Sequence, residues 1–99
     1  MTLSAATRQK IDALVGAHRV LLFMKGERRA PMCGFSAGVV DLLNEVGADY
    51  ETVNILSDAD LREGLKEYSQ WPTFPQLFVE GKLVGGADIV QEMHKAGEL

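Results

Sequence analysis

The sequence has a single cysteine, Cys33, among its 99 residues. One thiol excludes an internal disulfide framework, and it excludes a metal site built from several cysteines of the same chain. The two histidines, His18 and His94, match no metal-ligand spacing, and we interpret both as structural or solvated residues. If the thiol binds a metal, the remaining ligands must therefore come from another molecule.

Other absences narrow the class of protein. No apolar run approaches the ~20 residues that a membrane span requires. The amino terminus lacks the basic region and long apolar core of a secretory signal. A net charge of −4 without a basic stripe argues against general nucleic-acid binding. The content of 46% hydrophobic and 24% charged residues is typical of a soluble globular chain, and the length predicts one domain over residues 1–99.

Hydrophobic patterning predicts the element order α-β-α-β-α-β-β-α. Helices are expected over 5–17 and 34–46, from 57–60 onward and from Asp88 onward, and strands over 19–24, 50–55, 76–80 and 82–85. A strand, helix, strand unit implies a parallel pair with a right-handed crossover, and the final hairpin adds antiparallel strands. The pattern therefore predicts an α/β thioredoxin-like fold, a four-stranded mixed sheet flanked by helices.

Several local features follow from the same patterning. Ser4, Ser57 and Asp88 are expected to cap helices. Residues 25–31 are expected to form a polar loop. The second helix is expected to bury one apolar face, whose members share helical spacing. These residues are Phe35, Val39, Leu42, Leu43 and Val46.

The segment Pro31–Ser36 joins the first predicted strand to the second predicted helix, and it places Cys33 at the turn. Unpaired N–H groups and the positive end of a helix stabilise a thiolate. An ordinary thiol with a pKa near ~8.5 is only a few per cent ionised at neutral pH, and one lowered to about 5 is almost fully ionised. The alternative is a buried cysteine that acts as a small hydrophobic residue.

Four segments together resemble the monothiol glutaredoxins of the Cys-Gly-Phe-Ser class. They are Lys25-Gly26, Pro31-x-Cys33-Gly34-Phe35-Ser36, Trp71-Pro72-Thr73-Phe74-Pro75-Gln76-Leu77 and Gly85-Gly86-Ala87-Asp88. Cys-Gly-Phe-Ser alone is a weak match, whereas four segments in order on the expected elements are a strong one. The resemblance runs from the first strand to the last helix.

The resemblance implies a glutathione site around Cys33. Lys25 would stabilise the thiolate and pair with a carboxylate, and Arg62 would hold the glycine carboxylate. Phe74 would bind through its backbone beside a cis-Pro75, with Thr73 contributing similarly. From the residues alone, Lys25 is read as a solvated lysine in a loop, and Arg62 as a solvated helix residue paired with Asp58.

The glycine-rich segment before the last helix would receive the γ-glutamyl end of glutathione. Ala87 and Asp88 stand there, at a helix N-terminus that favours a carboxylate. Many members of that family have cysteine at the position of Ala87. Because this chain has alanine there, it offers no second thiol at that position. A plain helix cap is the alternative role for Asp88.

The resemblance further implies a [2Fe–2S] cluster held by Cys33 and one glutathione from each of two protomers. The expected partners are a second copy of the chain, a BolA-type protein in a heterodimer, and acceptor proteins that receive the cluster in iron–sulfur assembly and iron homeostasis. Half of the ligands would be exchangeable, which suits a carrier. We expect a cytoplasmic location, or the mitochondrial matrix or plastid after processing.

An enzyme is the competing class: a glutathione-dependent thiol–disulfide oxidoreductase with Cys33 as nucleophile. Ser36 stands where a dithiol enzyme has its second cysteine, so Cys33 would depend on an external thiol. The resemblance also implies that the loop Glu27–Ala30 moves bound glutathione away from good transfer geometry. We therefore expect weak or no oxidoreductase activity. A thioredoxin-like interaction module without a working thiol is a third possibility.

Overall fold

The chain forms the predicted elements in the predicted order, with one short hairpin added. The computed structural model describes residues 3–98, so Met1, Thr2 and Leu99 of the predicted domain lie outside the described residues. The helices are α1 (Ala5–Ala17), α2 (Gly34–Glu45), α3 (Ala59–Ser69) and α4 (Ala87–Lys95), with a 3₁₀ turn at Ile55–Ser57. The strands are β1 (Val20–Met24), β2 (Gly26–Glu27), β3 (Ala30–Pro31), β4 (Glu51–Asn54), β5 (Gln76–Val79) and β6 (Lys82–Gly85).

The main sheet has the strand order β4-β1-β5-β6. Strand β1 runs parallel to β4, with Leu21 opposite Glu51, and antiparallel to β5, with Leu22 opposite Leu77. Strands β5 and β6 form the predicted hairpin. The prediction of a thioredoxin-like α/β fold with a four-stranded mixed sheet is confirmed.

Helices cover both faces of this sheet because β1 is apolar on both faces. Leu21 and Phe23 pack into one core, whose helical part comes from α1 and α3. Leu22 and Met24 pack into the other, beneath α2 and α4. A strand buried on both faces reads as a continuous apolar run, as residues 20–24 do. No helix in the described part of the chain is long and apolar enough to cross a membrane.

The prediction of a plain polar loop at 25–31 is wrong. Strands β2 and β3 form a small antiparallel hairpin there, with Gly26 opposite Pro31 and Glu27 opposite Ala30. Gly26 has φ +91°, and a Cβ on it would lie 2.6 Å from the backbone nitrogen of Met32, so glycine is required. The Gly26 N–H also donates to Asn54 Oδ1 at 3.0 Å, a partner 28 residues away that local pattern does not reveal.

Two of the three predicted helix caps are wrong. Ser4 accepts a hydrogen bond from the Thr7 N–H and caps α1 as expected. Helix α3, however, is capped by Asp58, which accepts from the Leu61 N–H, while Ser57 belongs to the preceding 3₁₀ turn. Helix α4 has Gly86 as its N-cap, and Asp88 lies in the first helical turn instead. Asp88 is therefore free of a capping role.

The predicted apolar face of α2 is correct in the middle of the helix and wrong at both ends. Val39 and Leu43 are buried, but Phe35 is 64% exposed and Val46 is 40% exposed. Ser36 occupies the buried position in the first turn instead. Phe35 lies four positions before Val39 on the same helical face, but in the first turn of α2, where it lines a cleft instead of the core.

Candidate functional site

Cys33 is the N-cap residue of α2, half-buried and in extended conformation. The thiol closes no capping hydrogen bond. The N–H of Ser36, which has the largest influence, the N–H of Phe35 and the positive charge of Lys25 nevertheless hold the pKa of Cys33 below its ordinary value. Partial burial acts in the opposite direction. The helix start and the nearby cation together favour a thiolate, as a nucleophile or soft-metal ligand requires.

Ser36 is fully buried, and its hydroxyl oxygen accepts a hydrogen bond from the Lys25 N–H at 3.1 Å. The residue therefore connects the end of β1 to the first turn of α2. Reasoning from the sequence treated Ser36 as the place of a missing second thiol and did not find this structural role. A serine three positions into a helix gives no local signal of such a contact.

The predicted site residues line two adjoining clefts. The first, of 320 Å³, contains Cys33 together with Ala87 and Asp88. The second, of 370 Å³, contains Arg62. Three predicted residues line both clefts and make them one continuous groove: Lys25, Thr73 and Phe74. The structure therefore brings all seven predicted residues to one surface, with Arg62 and Asp88 in different clefts.

The segment before β5 forms the groove wall. The Phe74–Pro75 peptide bond is cis, as predicted, and both residues are buried. Gln76, the next residue, is fully buried, and its side-chain amide donates to the carbonyls of Trp71 at 3.0 Å and Thr73 at 3.2 Å. Gln76 thereby fixes the shape of this wall, a role that sequence reasoning missed. The available signal was a polar residue opening an otherwise apolar strand.

Gly86 permits close packing at the opposite wall. A Cβ at this position would lie 3.0 Å from Trp71 Nε1 and 3.3 Å from the Pro75 carbonyl oxygen. The absence of a side chain allows the α4 N-terminus to approach Trp71, and Gly86 offers no side-chain cap to the first N–H groups of α4. Those N–H groups suit a carboxylate, and the Asp88 carboxylate beside them suits an ammonium group.

The Arg62 end of the groove is predominantly cationic. Lys25, Arg62 and Lys66 line it, and Glu63 is the one acid among its lining residues. Glu63 Oε2 lies 3.3 Å from Arg62 Nε and 3.1 Å from Lys66 Nζ. These two cations lower the pKa of Glu63, the Lys66 hydrogen bond having the larger influence. Lys66 was not predicted, although it stands one helical turn after Arg62.

The alternative pairing of Arg62 with Asp58 is wrong. Asp58 instead forms an ion pair with Lys10 on α1. Lys10 stands 48 positions earlier in the chain, so helical spacing within α3 does not reveal it. This leaves the Arg62 side chain, 39% exposed, at the groove, where Glu63 pairs with its Nε.

The arrangement defines what the groove accepts. It has cations at one end, a thiol in the middle, and an acid with free helix N–H groups at the other end. Such a groove suits an extended peptide-like molecule with a carboxylate at one end and an amino acid group at the other. Within residues 3–98, no group of three or more His, Cys, Asp or Glu side chains is placed to hold a metal ion.

The family follows from comparison with known proteins. The model of the glutaredoxin family matches residues 20–84, so the chain belongs to the glutaredoxin family. Within it the chain is a monothiol glutaredoxin: it is 52% identical over 93 residues to an uncharacterized monothiol glutaredoxin of Synechocystis sp., covering 94% of this chain and 87% of the relative.

Other relatives are longer proteins. The chain is 48% identical over 97 residues to a chloroplastic monothiol glutaredoxin of rice (S7), covering 98% of this chain and 58% of the relative. It is 53% identical over 94 residues to monothiol glutaredoxin-S17 of Arabidopsis thaliana, covering 95% of this chain and 19% of that protein. The relatives thus include both cyanobacterial and chloroplastic proteins, some of which carry additional chain.

Solved structures agree with the fold. Reduced apo GrxS14 of poplar has a TM-score of 0.84 and 51% identity, covering 99% of this chain and 90% of that one. A buckwheat glutaredoxin–glutathione complex has a TM-score of 0.83 and 30% identity, covering 95% of this chain and 84% of that one. The second structure shows that a related protein with this fold binds glutathione.

Proposed function

We propose that this protein binds glutathione in the groove and carries a [2Fe–2S] cluster as cargo for iron–sulfur assembly and iron homeostasis. The observation that carries the proposal is a single thiol at the middle of the groove, with the buried Ser36 where a dithiol protein has its second sulfur. One thiol supplies a quarter of the four sulfur ligands that such a cluster needs. Glutathione and a second protein chain supply the rest.

Glutathione binding is supported by the charges of the groove. The glycine carboxylate would be held by Arg62 and Lys25, and the peptide part would pair with the backbone of Phe74 and Thr73. The γ-glutamyl group would lie at the α4 N-terminus, against the backbone of Ala87 and the Asp88 carboxylate. The cysteine thiol of glutathione would then lie near Cys33.

The surface beside the thiol supports assembly with a second chain. Met32 is 73% exposed and Phe35 is 64% exposed, and these apolar residues flank Cys33 on both sides in the sequence. Exposed apolar residues that cluster at a functional group are typical of an interaction surface. We propose that a second copy covers this face in the cluster-bound homodimer, and that a BolA-type protein replaces one copy in a heterodimer. Acceptor proteins would dock at the same face.

A monothiol oxidoreductase is the second candidate, and the lowered pKa of Cys33 favours it. The thiolate would attack the glutathione sulfur of a mixed disulfide, releasing the protein thiolate and forming a Cys33–glutathione disulfide. A second glutathione thiolate would then attack that disulfide, releasing oxidised glutathione and restoring the Cys33 thiolate.

Both functions require a compartment that contains reduced glutathione, and we propose the cytoplasm, the mitochondrial matrix or the plastid.

Anaerobic reconstitution with iron, sulfide and glutathione tests the proposal. The expected result is a charge-transfer absorption spectrum in a dimer peak on gel filtration. The spectrum should be lost in Cys33→Ser and when glutathione is omitted, since each removes half of the sulfur ligands. The carrier role is then tested by mixing the cluster-bound protein with an apo-ferredoxin. Appearance of the ferredoxin's own absorption spectrum would show that the cluster has been transferred.

The two candidate functions give different results in parallel assays. A colourless monomer that rapidly turns over a glutathione mixed disulfide would contradict the carrier function and support the enzyme. A coloured dimer with slow turnover would support the carrier. If Cys33→Ser retains the spectrum, the cluster has other ligands and the proposal is wrong.

A further inference from the structure

The β2–β3 hairpin connects two residues of the groove. Lys25 directly precedes β2, and Met32 and Cys33 directly follow β3. The base of the hairpin is closed by the Met32 N–H, which donates to the Lys25 carbonyl at 2.9 Å. A movement of the hairpin that opens this bond changes how Lys25 and Cys33 are placed relative to each other. A hairpin with two residues in each strand is too short to be stable alone, so other contacts must hold it. At its base, the Gly26 N–H donates to Asn54 Oδ1 at 3.0 Å.

Arg28 anchors the tip of the hairpin. Its guanidinium carbon lies 3.9 Å from the centroid of the Tyr50 ring, which is a cation–π contact. One terminal nitrogen donates to the Tyr50 carbonyl oxygen at 3.2 Å, and the other lies 3.4 Å from Asn44 Oδ1. The Tyr50 hydroxyl donates to the same Asn44 oxygen at 2.8 Å, so the three side chains form one cluster.

The cluster ties the tip to a rigid part of the fold. Tyr50 is only 2% exposed and packs into the core beneath α2 and α4, and Asn44 lies in the last turn of α2. Cys33 lies at the opposite end of the same helix. Since an arginine fork makes several directed contacts at once, it restrains orientation as well as position. The hairpin tip is thus anchored at one end of α2, and Cys33 lies at the other end of the same helix.

The neighbouring residue provides a contrast. Arg29 occupies the same turn, carries the same charge and is exposed. Across residues 3–98 no hydrogen bond, ion pair or ring contact involves its side chain. The difference between the two arginines is therefore contact geometry and not charge.

We propose that Arg28 is a positioning residue: by locking the β2–β3 hairpin onto Tyr50 and Asn44, it holds Lys25 and Cys33 in their places in the groove. The effect on the backbone around Lys25 and Cys33 follows from the hairpin geometry alone. The effect on glutathione affinity rests, in addition, on the proposed function.

The test compares Arg28→Ala with Arg29→Ala, a variant with the same loss of charge. In Arg28→Ala, hydrogen exchange at the Met32 amide, measured by NMR, should become about tenfold faster, because the bond to Lys25 opens more often. The amide chemical shifts of Lys25 and Cys33, recorded in the same spectra, should move, and glutathione affinity should fall about threefold or more. Arg29→Ala should match the wild type in all three measurements.

Arg28→Lys separates the fork from the charge. Lysine keeps a cation near the Tyr50 ring but loses the forked hydrogen bonds, so its values should lie between those of the wild type and Arg28→Ala. Circular dichroism and thermal unfolding show whether each variant is folded. If Arg28→Ala is not folded, the comparison is made with Arg28→Lys instead.

Two results would overturn the proposal. One is identical behaviour of the Arg28→Ala and Arg29→Ala variants. The other is faster Met32 exchange with unchanged amide shifts of Lys25 and Cys33, which would mean that Arg28 holds the hairpin without positioning those two residues. Neither measurement requires glutathione, so failure of the proposed function would show separately, as wild-type protein that does not bind glutathione.

Discussion

The Ser36 hydroxyl oxygen accepts the backbone N–H of Lys25 at 3.1 Å, and Ser36 itself is fully buried. This bond joins the residue that follows β1 to the first turn of the helix that begins beside Cys33. Ser36 therefore does two things in one position. It withholds a second thiol from the site, and it fixes the backbone that carries the nearby cation.

Replacing Ser36 by alanine should leave the Lys25 N–H without a partner. An unpaired buried donor costs about 1–3 kcal/mol, so the free energy of unfolding should fall by that amount in chemical denaturation. The Ser36 N–H, which has the largest influence on the pKa of Cys33, remains in the variant. The hydrogen bond between the Ser36 hydroxyl and the thiol, the smallest of the influences, is lost, so the pKa of Cys33 should rise only slightly. Ser69→Ala is the control, since that hydroxyl only donates back to the Leu65 carbonyl within α3. Equal losses in the two variants would contradict this account.

Replacing Lys25 by glutamine should raise the pKa of Cys33 toward its ordinary value. The Ser36 and Phe35 N–H groups, which are stronger influences, remain, so the shift is partial. The pH midpoint of Cys33 alkylation in Lys25→Gln should therefore lie above that of wild type. The lowered pKa also makes stability depend on pH: ionisation of Cys33 contributes stability that is fully present above the unfolded-state pKa and is lost as pH falls through the folded-state pKa.

The same variant should bind glutathione less tightly. Loss of one charge-assisted hydrogen bond to a carboxylate predicts a roughly tenfold weaker affinity, about 1.4 kcal/mol, measurable by calorimetry. Lys82→Gln, at the exposed first position of β6, removes the same charge from a residue that does not line the groove, and it should leave affinity and alkylation unchanged. An unchanged alkylation midpoint in Lys25→Gln would show that the lysine does not support the thiolate.

The strands and the groove could be predicted because their signals are local or carried by motifs. The apolar run at 20–24 indicates burial on both faces, and the four segments that carry the family resemblance were enough to place Cys33, Phe74 and Asp88 on one surface. The family and fold were predicted correctly for the same reason. The roles of Cys33, Phe74 and Asp88 in binding glutathione or a cluster stay predictions.

What could not be predicted depends on contacts between distant residues. The hairpin at 26–31 is held by Asn54 and Tyr50, and Asp58 pairs with Lys10, all partners more than 20 positions away. Phe35 was misplaced for a different reason. Apolar periodicity assigns every apolar residue to the core, whereas Phe35 lines the cleft beside Cys33 and is largely exposed.

Replacing Gln76 by methionine should loosen the groove wall. The carbonyls of Trp71 and Thr73 would lose their side-chain donor, which predicts a loss of roughly 1–3 kcal/mol in the free energy of unfolding and weaker glutathione binding. Gln91→Met on the exposed face of α4 is the matched control and should affect neither. In Gln76→Glu the destabilisation should grow as pH rises, because burial disfavours the charged carboxylate. A pH-independent loss in Gln76→Glu would show that the new carboxyl is not buried.

Two glycine-to-alanine changes should act in opposite directions. A methyl group at Gly86 would lie 3.0 Å from Trp71 Nε1 and 3.3 Å from the Pro75 carbonyl, so Gly86→Ala should force the α4 N-terminus away from the groove wall. Such overpacking predicts a loss of about 1–3 kcal/mol and weaker glutathione binding. A methyl group at Gly38, inside α2, would meet only Gln91 Nε2 at 3.8 Å, an ordinary contact. Gly38→Ala should therefore stabilise the protein by about 0.5–1 kcal/mol in denaturant unfolding, with glutathione affinity unchanged. If Gly86→Ala kept wild-type affinity, close approach of the α4 N-terminus to Trp71 would not be a requirement of the site.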